Sequence, residues 1–369
     1  MFLKYKFFIA VLLGIFFIPK ISAQDVHFSQ FDLSPMYISP ALTGYMENGT
    51  DRIAIKYRNQ WSAVLPNQGY KTYFASYDGR SCLDHSSNFF GYGISAMEDR
   101  AGDPVFKTSQ YQAAFSYHMQ LTTGYFLSLG LQSGLLRYQI NPMDFDFDNE
   151  YDGGLGFINS PNTPLELLND DVRIWDVGGG ALFYNPDNSW NIGLSFQHGI
   201  KQGFFAFTPT GVEDDNKVNT RWILHTSIPV PFGKKGQHYL VFKGMTKIQR
   251  PHWQFVGGSD FRLRISKDRS QTFFRTITVG LALRLSDRPD QLLGIDSGIL
   301  SAKTAISPNM TLGLGYDMNI SNLQNKNRSV GGLELSLVIV LTAPKKNDCI
   351  DCFKFDTIKK GKKQKQRTF

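Results

Sequence analysis

The sequence predicts an all-β fold, a transmembrane antiparallel β-barrel of about fourteen strands, and three observations predict it. Short runs in which apolar and small polar residues alternate recur along most of the 369 residues, the period-2 signature of strands with two differently solvated faces. Behind the amino-terminal region no apolar block reaches the roughly 20 residues that a spanning helix needs, so a membrane passage would have to be made by strands. Composition agrees: charged residues are sparse at 19 %, aromatics reach 14 %, and 34 glycines are present, which suits pleated surfaces joined by tight turns.

Residues 1–23 read as a secretory signal peptide. Lys4 and Lys6 precede an apolar run from Phe7 to Ile18, and Ser22-Ala23 form a small-residue exit before Gln24. The expected compartment lies beyond the inner membrane, and no cysteine follows the cleavage site to carry a lipid. Residues 24–50 read as an amino-terminal plug or periplasmic segment. Pro35 and Pro40 deny it a continuous hydrogen-bond ladder, and Gly44 ends its irregular part with a residue free to take positive φ.

Strict alternation begins at Asp51, and residues 51–342 read as the barrel. The first strands are expected at 51–58, 69–78, 89–97, 106–119 and 124–138. Five more follow at 173–184, 189–198, 219–230, 237–246 and 253–264, and the last four at 273–286, 291–303, 308–318 and 331–341. Leu127, Leu129, Leu131 and Leu135 would point one way while Ser128, Gly130, Gln132 and Gly134 point the other. The same division recurs in Ile192, Leu194 and Phe196, in Val279 to Leu285 with Arg284 on the opposite face, and in Leu333 to Leu341. Trp190, Trp222, Trp253, Tyr125 and Tyr316 fall near strand ends, where interfacial girdles need amphipathic rings. The two longest connections, 139–172 and 199–218, are odd-numbered, and most even-numbered ones are short. Short turns and both termini are therefore expected on the periplasmic side. A soluble exported β-sandwich is the competing architecture, but it would turn its leucines inward.

The net charge of +7 invites a nucleic-acid reading that its distribution removes. Residues 345–369 hold nine Lys or Arg against three Asp, and the body from 24 to 344 carries 27 basic and 29 acidic side chains. A nearly neutral body has no basic groove, so no nucleic-acid partner is expected. Residues 343–369 read as a basic periplasmic tail.

No catalytic or metal constellation can be assembled. The loop PMDFDFDNEYDGG from Pro142 to Gly154 departs from a calcium-binding loop because aromatics fill its gaps, so it reads as a solvated acidic lid. Seven histidines occur without an HExxH pattern, and there is no GxSxG elbow. Gly178-Gly179-Gly180 lies inside a strand pattern, marking a bend or a close approach. Cys82 stands alone, while Cys349 and Cys352 read as a small disulfide or idle thiols. We expect neither an enzyme nor a cofactor.

Three motifs near the start, FSQF (Phe28, Ser29, Gln30, Phe31), SPMYISPALTG (with Pro35, Pro40 and Gly44) and YRNQW (Tyr57, Arg58, Asn59, Gln60, Trp61), resemble the opening of the PorP/SprF family of outer-membrane proteins. Tyr316-Asp317 with Asn319 to Leu323, then Gly331 to Ser336, and NSPNTPLE from Asn159 to Glu166 extend the resemblance over essentially Gln24 to Cys352. Ser39-Pro40 departs from it, since the family more often shows Asn-Pro.

This resemblance implies an outer-membrane component of type IX secretion in gliding or related bacteria. It would assist export or surface attachment of particular cargo, such as large adhesins. The implied partners are the C-terminal domain of secreted cargo, other secretion components at the outer membrane and periplasm, and outer-membrane lipid. No catalytic residue comes with the family, and the motif residues above are the expected partner contacts. A passive porin or small-solute transporter is the alternative that composition allows.

Overall fold

The structure, a computed structural model, describes residues 26–46, 49–60, 69–83, 86–102, 106–139, 151–152, 156–157, 171–200, 218–233, 238–265, 276–288, 291–307, 309–320 and 331–341. Fourteen strands close into one antiparallel barrel. They are β1 (Asp51–Gln60), β2 (Tyr70–Cys82), β3 (Phe89–Ala101), β4 (Phe106–Thr122), β5 (Tyr125–Gln139), β8 (Asp171–Asn185), β9 (Trp190–Gln197), β10 (Arg221–Phe232), β11 (His238–Gln249), β12 (His252–Arg264), β13 (Thr276–Arg288), β14 (Gln291–Ser307), β15 (Met310–Asn319) and β16 (Gly332–Leu341). The two remaining strands, β6 (Tyr151–Asp152) and β7 (Gly156–Phe157), pair with each other inside the β5–β8 connection. That hairpin was not foreseen. The rest of the acidic loop, Trp61 and the CIDC cysteines lie outside the described residues.

Every barrel strand pairs with its chain neighbour, and β1 closes on β16 with Asp51 opposite Leu341 and Gln60 opposite Gly332. Pairing all fourteen leaves no edge, which is what a sheet in hydrocarbon requires. No described helix is long and apolar enough to cross a membrane. All fourteen expected strands are present, several longer than the alternation suggested: β2 runs on to Cys82, β4 to Thr122 and β14 to Ser307. Outside the hydrocarbon band hairpin arms need no apolar face, so the pattern fades before the pairing does.

Alternation sets the facing as expected. Leu131 and Leu281 are 70 % and 64 % exposed on the outer surface, with Leu129, Ile192, Leu194, Val279, Leu283, Leu333 and Leu335 beside them. Their strand neighbours Ser128, Gln132, Ser195, Arg284, Glu334 and Ser336 are buried inside. The largest enclosed side chains include Arg58, Arg221, Arg284 and Lys56. This is the inverse of a sandwich, which would hide the leucines. At one rim Tyr125, Phe183 and Trp190 form an aromatic cluster, with ring centroids 5.4–6.3 Å apart.

The connections 140–170 and 198–220 lie at the end away from β1's start, and the short 123–124, 186–189 and 308–309 lie at the end where β1 begins and β16 finishes. The connection 265–275 is a longer exception at that second end. Cys82 is disulfide-bonded. That differs from the expectation that Cys82 stands alone, and the reading of Cys349 and Cys352 falls on residues outside those described.

Candidate functional site

Residues 26–46 lie inside the barrel, packed against its wall. Three short turns compact them: 3₁₀ turns at Phe31–Leu33 and Pro40–Leu42 and one helical turn at Pro35–Ile38. Pro35 and Pro40 each occupy the first position of a turn, where the missing N–H costs nothing and the fixed φ is already right. The Ser39 hydroxyl accepts from the Ala41 amide at 3.2 Å, so serine performs the capping that an asparagine there could also perform. Gly44 takes φ +75°, and a Cβ there would stand 2.9 Å from the Gly91 Cα.

The segment buries apolar side chains against a belt of the lumen wall. Phe31, Ile38, Ala41 and Leu42 pack with Phe126, Leu182, Tyr184, Ile223, Met245, Val256 and Ile299. Fully burying a side chain such as Leu, Ile or Phe contributes about 1.5–3 kcal/mol. Phe28 sets its ring edge-on to Tyr37 and Phe74, at 4.9 and 5.7 Å, with the Lys56 ammonium 4.6 Å above it. The glycines of the wall make room. A Cβ on Gly130 would meet Pro40 C and Ala41 N at 2.4 Å, and one on Gly180 would meet Ser39 Oγ at 2.5 Å. At Gly180 the triple glycine therefore serves a close approach.

An irregular segment cannot pair its own backbone, and wall side chains do so instead. The Ile38 carbonyl accepts from Ser195 at 2.7 Å, Tyr37 O from Gln197 at 2.9 Å, and Ala41 O from Ser128 at 2.9 Å. Thr43 O is held by Ser116 at 2.8 Å and His118 at 2.9 Å. Ser116 and His118 are 3.1 Å apart, yet both are fully buried and both face that carbonyl. They fasten backbone; they are not an accessible nucleophile and base.

Three charged clusters lock the plug. In the first, Glu334 accepts from the amides of Ser29 and Gln30 at 2.8 and 2.9 Å, from Lys56 Nζ at 3.0 Å and from Arg58 Nη1 at 3.3 Å. Asp317 pairs with Arg58 Nη2 at 2.6 Å and Arg284 Nη2 at 2.8 Å, and both arginines also donate to Ser29 Oγ. Gln30 donates to Leu314 O at 2.9 Å and accepts from Ser336 at 3.1 Å. In the second, Asp78 takes the Gly44 amide at 2.8 Å and a two-point contact from Arg52 at 2.6 and 2.9 Å, while Arg52 also donates to Tyr45 O at 2.9 Å. In the third, Lys243 and Lys303 share Asp260 at 2.8 and 2.7 Å and both reach Asp32 of the plug. Burial opposes ionisation of Asp32, but these lysines outweigh it and hold the carboxyl well below its usual range. Burial first, then Arg284, Arg58 and Lys247, push His27 well below the ordinary histidine value.

Of the expected contact residues, Phe28, Ser29, Gln30, Pro35, Pro40, Gly44 and Arg58 thus come together in one luminal assembly. Tyr57 does not: it faces outward, its ring 5.3 Å from that of Tyr73. Asn59 and Gln60 end β1 beside the first cluster, where Gln60 Oε1 accepts from Arg58 at 3.5 Å. Sequence reading missed the partners Lys56, Asp78, Asp260, Lys243 and Lys303. Their signal was present: each is a charge on the inward face of a strand whose outward face is apolar. No group of metal-ligating side chains exists among the described residues. On the side of the plug nearer β1's start, a cavity of about 400 Å³ remains, bordered by Phe31, Asp32, Tyr45, His225 and Lys243.

An aliphatic exterior, a charged interior and a lumen occupied by the chain's own amino-terminal segment define a plugged barrel of the outer-membrane type. Solved structures similar to it include the CymD monoaromatic hydrocarbon channel (11 % identity, 87 % of this chain and 95 % of that one, TM-score 0.47). The Pseudomonas putida toluene transporter TodX (9 %, 83 % and 93 %, 0.46) and BamA from Haemophilus ducreyi lacking POTRA domains 1–3 (9 %, 80 % and 70 %, 0.42) are also similar. A search of curated proteins found no match. The family described as type IX secretion system membrane protein PorP/SprF matches residues 21–338. The chain belongs to that family, and its place is the outer membrane.

Proposed function

We propose that this barrel serves type IX secretion as a closed outer-membrane platform that assists export or surface attachment of specific cargo, such as large adhesins. It would bind the cargo's C-terminal domain and other secretion components. The observation that carries this reading is the plug itself. A segment held by three charged clusters and an apolar belt lies inside the barrel, and on this reading the barrel works through its surfaces. Family membership supplies the secretion context, and the fastening role of Ser116 and His118 argues against catalysis. The basic tail and the connections 140–170 and 198–220 are the proposed contacts with partners on the two sides of the membrane.

The deciding experiment compares the secreted proteins of strains with and without the gene, alongside planar-bilayer conductance of the purified protein. Loss of particular cargo with a closed barrel is expected. An unchanged set of secreted proteins together with a large open conductance would establish the porin alternative instead.

A further inference from the structure

We propose that the plug runs outward: its amino-terminal end, at Val26, faces the end bearing the long connections, on the cell surface, and not the periplasmic end where β1 begins. The proposal rests on the outer-membrane placement and is independent of the secretion role.

Axial level follows from the strand positions that each plug residue touches. Near its junction with β1 the segment sits at the rim of the short turns. There the rings of Tyr45 and Tyr184 are 4.8 Å apart, and Asn191 donates to the Tyr45 hydroxyl at 3.4 Å, both partners flanking the 186–189 turn. Ala41 lies higher, at Ser128 and Gly130. Tyr37 reaches the upper ends of two strands: Gln197, the last residue of β9, and Arg221, the first of β10, which donates to its hydroxyl at 3.0 Å. Val26, the first described residue, has its carbonyl 3.1 Å from Lys247 Nζ, two positions before β11 ends at the far rim. The chain therefore ends at residue 26 well above where it stands at residue 46, after dipping between Tyr37 and Ser29 to the lower level at which Asp32 meets Lys243 and Lys303.

At the level of Val26 the interior is packed: Arg58, Arg284 and Glu334 are fully buried, and Phe28, Tyr37, Phe74 and Met97 pack together with Val26 against them. The cavity of about 400 Å³ lies below this level and is bordered by none of residues 26–30. Bacterial barrels turn their longer loops outward, and Val26 lies towards the end bearing 140–170 and 198–220.

The test is labelling by a membrane-impermeant maleimide in the full-length protein carrying Asp25→Cys, read against the parent chain to subtract its own cysteines. Equal labelling of intact and permeabilised cells is expected, whereas Thr123→Cys in the β4–β5 turn should label only after permeabilisation. If Asp25→Cys reacts only after permeabilisation, or only after denaturation, the threading is wrong. Should that variant fail to assemble, as judged by heat-modifiable migration, an epitope inserted between Gln24 and Asp25 gives the second reading. Removal of the epitope from intact cells by external protease supports the proposal, and protection until the outer membrane is opened overturns it.

Discussion

The amide of Ser29 donates to Glu334 across 2.8 Å, although 305 positions of chain separate the two residues. Glu334 belongs to the closing strand, and its cationic partners Lys56 and Arg58 belong to the first. The same carboxylate therefore fastens the plug and bridges the seam of the barrel from inside.

Replacing Glu334 by Ala should be among the most damaging single changes. Removing one partner from a buried charged cluster leaves the others uncompensated and costs about 3–5 kcal/mol. The folded band in heat-modifiable electrophoresis should convert at a lower temperature than the parent, with Glu334→Gln intermediate because it keeps an acceptor. Unchanged migration of both variants would remove the lock.

Gly130→Val tests whether the wall is shaped to the plug. Backbone atoms already stand 2.4 Å from where the first carbon of that side chain must go, so the Pro40–Leu42 turn has to shift. Overpacking of this kind costs about 1–3 kcal/mol. We expect bilayer recordings to change from silent to flickering, with the barrel still inserted.

On the outer face, Leu131→Arg should lower the amount of assembled protein in the membrane. A cation on the lipid side near the midplane costs about 2–4 kcal/mol, falling to about 0–1 kcal/mol near the interfaces. Leu341→Arg, at the rim, is therefore the paired control and should accumulate close to normally. Carbonate-resistant protein measured for both variants decides it.

The plug's outer end should loosen in mild acid. His27 has its folded value depressed below the ordinary 6.5 by burial and by Arg284, Arg58 and Lys247. The unfolded chain therefore takes up the proton first, and the stability that neutral His27 confers is complete above that value and declines as pH falls towards the folded one. Unfolding temperature should drop as pH falls below the ordinary histidine value of 6.5, and His27→Asn should flatten that slope. Asp32 behaves oppositely in range: its depressed value keeps the lower anchor ionised until strongly acidic conditions.

Strands were legible in the sequence because lipid imposes a period on them. Leu129 and Leu131 must share a face, and everything between them follows. The plug was legible only as irregularity, from Pro35, Pro40 and Gly44. Ser29, Arg58, Asp317 and Glu334 all stood in the motifs that resembled the family, yet nothing local says that a residue near 30 meets one near 334. Non-local pairing is set by closure of the barrel, which periodicity predicts only as a count. Proline spacing says nothing of the segment's direction, since a plug running up or down the lumen has the same spacing, and turn parity alone puts both termini on the periplasmic side.

A latch between positions 29 and 334 also constrains the order of assembly. Synthesis delivers Ser29 and Gln30 early and their carboxylate almost last, so for most of the chain's emergence the plug has no anchor at that level. The seam joins the first strand to the last, and it cannot shut sooner than the latch can form. A chain halted before β16 would lack both a closed wall and this latch, and its plug would be held only by the other two clusters and the apolar belt.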